Sequence, residues 1–254
     1  MTIGYHLALA AGYATAIAGW AALHRLAPAL WRERPSFTFA HPWREVGWAL
    51  LAAVGVVLIG QLYTHGIRLP SSGAWRPVTE SLNQFAIFSP MLALLAARRH
   101  PLASAWIRTE RVPARLAAGL GFGALAILAF TLVHPDARPW LEVLPSVYRP
   151  SNLHFAVQVL LEDIAIAVLL VRLVAATSQR TAVVLVAVLF AAAHVPALVA
   201  SGASAGEVVG LARDAALAIL VLGAAVRSAD VWWLWLVHFA MDMMQFASGA
   251  SPAA

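Results

Sequence analysis

The chain has 254 residues, of which 61% are hydrophobic and only 11% charged, and it carries a net charge of +5. A soluble domain is about 45–50% apolar and about 25% charged, so this composition is that of an integral membrane protein. Cysteine and lysine are both absent, which excludes disulfides, thiolate metal sites, cysteine nucleophiles and Schiff-base chemistry. The positive charge lies on arginines alone; it suits anionic lipid, and no nucleic-acid partner is expected.

A membrane-crossing helix needs about 20 mostly apolar residues. Eight stretches qualify, near 4–23, 45–64, 78–97, 114–133, 153–175, 181–200, 207–226 and 230–247. The expected fold is all-α: a polytopic bundle of about eight transmembrane helices forming a single transmembrane domain over 1–254. The first loop holds Arg25, Arg32, Arg34 and Arg44, and the third holds Arg98, Arg99, Arg108, Arg111 and Arg115. Arg172, Arg180 and Arg227 are assigned to the fifth and seventh loops, whereas loops two and four hold only Arg68, Arg76, Arg138 and Arg149. By the positive-inside rule the odd loops are cytoplasmic and both termini lie on the outer face. The expected location is a bacterial inner membrane. The segment from Arg98 to Arg115 reads equally well as a short amphipathic surface helix or a plain basic loop. Glu80, Asn83 and Gln84 enter the third stretch near its outer end, within reach of solvent.

Polar residues inside the fifth, sixth and eighth stretches carry the functional argument. Glu162 and Asp163 sit in the middle of the fifth. A charged group at that depth costs about 2.5–3.5 kcal/mol on insertion scales, so it ordinarily faces a polar cavity and has a function. The sixth reads Phe190-Ala-Ala-Ala-His194-Val-Pro196, and the eighth contains His238-Phe-Ala-Met-Asp242. Both pairs are four residues apart, hence on one helical face. At 1.5 Å per residue, Glu162 lies about 14 Å from the outer face, with His194 about 20 Å, His238 about 12 Å and Asp242 about 18 Å from the cytoplasmic face. In a core about 30 Å thick, all four occupy one slab near the midplane. Most other histidines fall in loops or at helix ends, as interfacial polarity. Arg213 and Asp214 lie inside the seventh stretch.

Such a set suits water activation. Desolvation raises a carboxylate's pKa, bringing Glu162 toward the range where it accepts a proton from water. His194 can hold the same water, and His238, oriented by Asp242, can donate to a developing oxyanion. Glu162, His194 and His238 also suit a divalent metal such as zinc, and the residue types do not choose between the two. No serine lies near the midplane of these stretches, which disfavours serine-type catalysis.

At these residues the chain resembles the CAAX-protease and bacteriocin-processing (CPBP) intramembrane proteases, which include the Rce1-like endopeptidases. The family pattern is Glu-Glu-x-x-x-Arg, then Phe-x-x-x-His, then His-x-x-x-Asn/Asp on successive helices. Phe190 and His194 match the second motif; His238 and Asp242 match the third. The resemblance covers about 150–247, taken as the catalytic core. It implies an endopeptidase acting on a membrane-anchored protein or peptide in the lipid bilayer, with Glu162 and His194 activating water and His238 and Asp242 forming an oxyanion or second-histidine site. Known members cut near C-termini, process peptides or confer immunity to bacteriocins. The first motif departs from the pattern: Asp163 replaces the second Glu and Ala167 the Arg. Arg213 is the candidate for the missing cation. Ala167 keeps a non-catalytic scaffold or immunity protein as the alternative; a small proton-coupled transporter is a third reading.

Overall fold

A computed structural model describes residues 3–31, 37–134 and 137–247. Arg32 and Arg34, counted above in the first loop, lie outside the described residues. Among those described there are ten α-helices and no strand: α1 (Ile3–Leu26), α2 (Pro42–Thr64), α3 (Arg76–Ile87), α4 (Ser89–Arg98), α5 (Val112–Val133), α6 (Trp140–Val147), α7 (Leu153–Ala176), α8 (Gln179–Ala200), α9 (Ala205–Ser228) and α10 (Val231–Ala247). Helices α1, α2, α5, α8 and α9 are each long and apolar enough to cross a membrane. The protein is an all-α integral membrane protein.

The helices differ from the eight stretches in two places. The third stretch is broken at Phe88 into α3 and α4. Pro90 has no N–H to give to the Ala86 carbonyl one turn back, and its ring crowds that carbonyl, so the helix restarts rather than continues. The fourth loop contains the short helix α6, eight residues long and far below a bilayer's thickness.

The helices pack as two compact units. The first comprises Met1–Arg34, Arg108–Leu160 and Trp232–Ala254. In it α1 lies along α5, and α5 also meets α6. Three glycines let backbones approach. A Cβ on Gly119 would fall 2.9 Å from the Trp233 Cα, one on Gly123 would fall 3.2 Å from the Leu236 carbonyl, and one on Gly12 would fall 3.0 Å from the Ala126 carbonyl. The close α5–α10 contact therefore requires glycine at 119 and 123, the small-xxx-small spacing of membrane helix pairs. Trp233 stacks on Trp20 at 5.8 Å and meets Phe122 edge-on at 6.0 Å.

The second unit comprises Pro35–Ile107 and Leu161–Val231. Here α2 packs on α3, α4 and α8, and α8 packs on α9. Two polar clusters correct the sequence reading. Glu80, Asn83 and Gln84 are buried rather than solvated. Glu80 accepts hydrogen bonds from Tyr63, Ser71 and Asn83, while Asn83 ties down Leu69 through the Leu69 N–H (2.9 Å) and carbonyl (3.2 Å). The second correction is Arg172. It is no loop cation but a fully buried residue of α7, because that helix runs on to Ala176. It donates to the Val168 carbonyl at 3.0 Å and lies over the Phe39 ring at 5.5 Å. His100 stacks on the same Phe39 ring at 5.2 Å, 3.7 Å from Glu45, which also pairs with Arg98. Burial pulls the His100 pKa below its ordinary value. The segment 98–115 is neither an amphipathic helix nor a plain basic loop. A short 3-10 turn over Leu102–Ala105 leads into buried Trp106 and Arg108.

Candidate active site

Helix α7 presents the two acids differently. Glu162 is half-buried, whereas Asp163 is only 1% exposed. Sequence neighbours on a helix point about 100° apart, so one carboxyl keeps access while the other is enclosed. Ala167 is one turn beyond Asp163 on the same face and is fully buried. The arginine missing from the motif would thus have stood beside Asp163 rather than Glu162.

Helix α8 begins with Ser178 as its cap, the hydroxyl accepting from the Thr181 N–H at 3.2 Å. Its buried face runs from Ala182 to Ala191 and stops there. His194 lies just past that point and is exposed, not enclosed as its depth in the span suggests. Its Nδ1 is 2.8 Å from the Phe190 carbonyl oxygen, and the Phe190 ring meets the imidazole edge-on at 4.8 Å. A carbonyl can only accept, so Nδ1 carries a proton, and it is Nε2 that holds the lone pair in the neutral tautomer this bond selects. Pro196 lies inside the helix and, lacking an N–H, leaves the Ala192 carbonyl without its usual helical donor.

Helix α10 is fixed in the first unit by two indole hydrogen bonds. Trp232 donates to the Arg108 carbonyl at 2.6 Å, and Trp235 donates to the Ala156 carbonyl, in the first turn of α7, at 2.7 Å. His238 and Asp242 are brought together: Nε2 lies 3.6 Å from Oδ1. That is close enough for charge attraction and too long for a direct hydrogen bond. Arg213 stands exposed on α9 and makes no ion pair among the described residues.

Residues 151–244 match the family model described as type II CAAX prenyl endopeptidase Rce1-like. This segment is Rce1-like. No curated protein and no solved structure matches the chain. The Rce1-like segment contains Glu162, Phe190, His194, His238 and Asp242, and it supports a CAAX-type intramembrane protease.

One neighbour of the Rce1-like segment escaped sequence reasoning. Tyr148 follows α6, and its hydroxyl is buried without a partner among the described residues. The hydroxyl lies 2.7 Å from where a Gly123 Cβ would stand, and the ring meets Phe239 at 5.9 Å. Burial pushes the phenol's pKa up to about 12, so it stays a neutral donor. A lone tyrosine in a loop carries no periodic signal that would have singled it out.

Proposed function

We propose that the protein is an intramembrane endopeptidase that hydrolyses a peptide bond in a membrane-associated protein or peptide. Glu162 takes a proton from water, the hydroxide adds to the scissile carbonyl carbon, and His194 holds the water through its bare Nε2. His238, oriented by Asp242, donates to the oxyanion. Collapse of the tetrahedral intermediate breaks the C–N bond, and Glu162 returns its proton to the leaving amine. The observation that carries this reading is the His194–Phe190 hydrogen bond of 2.8 Å. It leaves the accepting nitrogen free for solvent, as a base or ligand histidine needs. Glu162, His194 and His238 are also residue types that hold zinc, which would supply Lewis acidity to the same carbonyl.

The test is cleavage of a farnesylated CAAX reporter peptide in proteoliposomes. Glu162→Gln and His194→Gln, folded and inserted at normal levels, are expected to lower turnover by about 10²–10⁴-fold each. Unchanged turnover in both would eliminate the protease reading. Loss of wild-type activity on treatment with a chelator, restored by zinc, would assign the metal-assisted route. The non-catalytic scaffold is favoured by one feature, the buried Ala167 in place of the motif arginine; it predicts no turnover by the wild type. The site is proposed to operate in a bacterial inner membrane with both termini outside.

A further inference from the structure

The α8–α9 hairpin is unevenly covered. Burial on α8 ends at Ala191 and on α9 begins only at Leu222, so the end near the connecting turn stands open. His194 is six residues before the end of α8 and Arg213 eight residues after the start of α9, which places them about 9 and 12 Å from the turn. They share one level on adjacent helices, and both are exposed.

Arg213 needs an explanation. A guanidinium within a membrane span costs several kcal/mol unless something polar meets it. Its neighbour Asp214 points about 100° away around the helix. Glu207, two turns nearer the connecting loop, is held by the Ser204 N–H at 2.7 Å and the Ser204 hydroxyl at 2.8 Å in a capping box. No side chain among the described residues pairs with Arg213. Of the arginines within 151–244, Arg172 and Arg180 flank the α7–α8 connection and Arg227 ends α9. All three lie at the end of the hairpin away from His194.

We propose that Arg213 binds the C-terminal carboxylate of the substrate. The inference rests on the protease reading above. A CAAX sequence ends the protein that bears it, so a cut within or beside it lies a few residues from a free carboxylate. Two to three extended residues span about 7–11 Å, comparable with the 8–10 Å between packed helix axes. That carboxylate cannot enter the membrane unpaired any more readily than the arginine can; each supplies what the other lacks. Arg213 is thus a specificity-determining residue that places the scissile bond at the level of His194.

The experiment compares two farnesylated CAAX peptides, identical except that one ends in a free acid and the other in an amide. Both are offered to the wild type, Arg213→Gln and Arg213→Lys in proteoliposomes. The wild type is expected to favour the acid by roughly ten- to hundredfold in kcat/KM, the range for a hydrogen bond to a charged group. In Arg213→Gln the acid-to-amide ratio falls toward one, and Arg213→Lys keeps part of it. The ratio is read within each variant, so differences in folded yield cancel. A wild-type ratio of one, or a ratio unchanged by Arg213→Gln, overturns the inference while leaving the protease reading standing. Failure of the wild type to cut either peptide overturns both.

Discussion

The Phe190 carbonyl decides which nitrogen of His194 is available. Because the backbone oxygen does the work, the Phe190 side chain should matter less than its position in the helix. Phe190→Leu is expected to retain activity within about tenfold, the loss being one ring contact worth about 0.5–1.5 kcal/mol. His194→Gln should lose it. Asp242 invites a second test. The family pattern admits Asn there, so Asp242→Asn should keep most turnover, whereas Asp242→Ala should lower it by about 10²-fold, as removal of an oxyanion-supporting group does. Both variants can be read in the reporter assay with insertion checked by antibody. These pairs were legible in the sequence because a helix converts a spacing of four into a shared face. What spacing could not give was access: His194 is exposed where its depth suggested enclosure, and Arg172 is buried where its place near a span end suggested a loop. Exposure depends on which neighbour covers the face, and that is a property of packing.

At the scale of helices, the close contact of α5 with α10 makes a sharp prediction. Gly119 and Gly123 face backbone and side-chain atoms of α10, whereas Gly121 has nothing within 4 Å of where a Cβ would stand. Gly119→Leu should destabilise the protein by about 1–3 kcal/mol or more through overpacking, seen as a lower unfolding midpoint in detergent. Gly121→Ala should be neutral or slightly stabilising, as expected for replacing an unconstrained helical glycine. Glu80 offers an independent test in the second unit. Glu80→Ala removes the acceptor for half-buried Tyr63 and Ser71 and for buried Asn83, and leaving a buried donor unmet costs about 1–3 kcal/mol. Faster proteolysis between residues 65 and 75 is the expected readout. The break between α3 and α4 is explained by Pro90, which is plain in the sequence. The Glu80 cluster is not plain there, because Ser71 and Tyr63 reach it from a loop and a different helix.

For the whole molecule, the proposed direction of crossing rests on the loop arginines. Removing the buried Arg172 from the fifth loop weakens the arginine bias only slightly, because Arg180 remains and the first and third loops carry most of it. Helix α6 is too short to cross and leaves the parity of crossings unchanged. The break at Phe88 is the real hazard: if α3 and α4 dip into the membrane and return, every later segment is inverted. The chain has no cysteine, so single cysteines report topology without background. Ser72, Thr177 and Ser201 are all exposed. Between Ser72 and Thr177 lie α3 with α4, α5 and α7, three crossings if the broken pair counts as one. Ser72→Cys and Ser201→Cys should then react with a membrane-impermeant maleimide in intact cells, and Thr177→Cys only after permeabilisation. Labelling of Ser72→Cys and Thr177→Cys from the same side would mean that α3 and α4 do not traverse. Ser201→Cys and Thr177→Cys, separated by α8 alone, must differ on either arrangement, because α8 is a single unbroken 22-residue helix long enough to span the lipid.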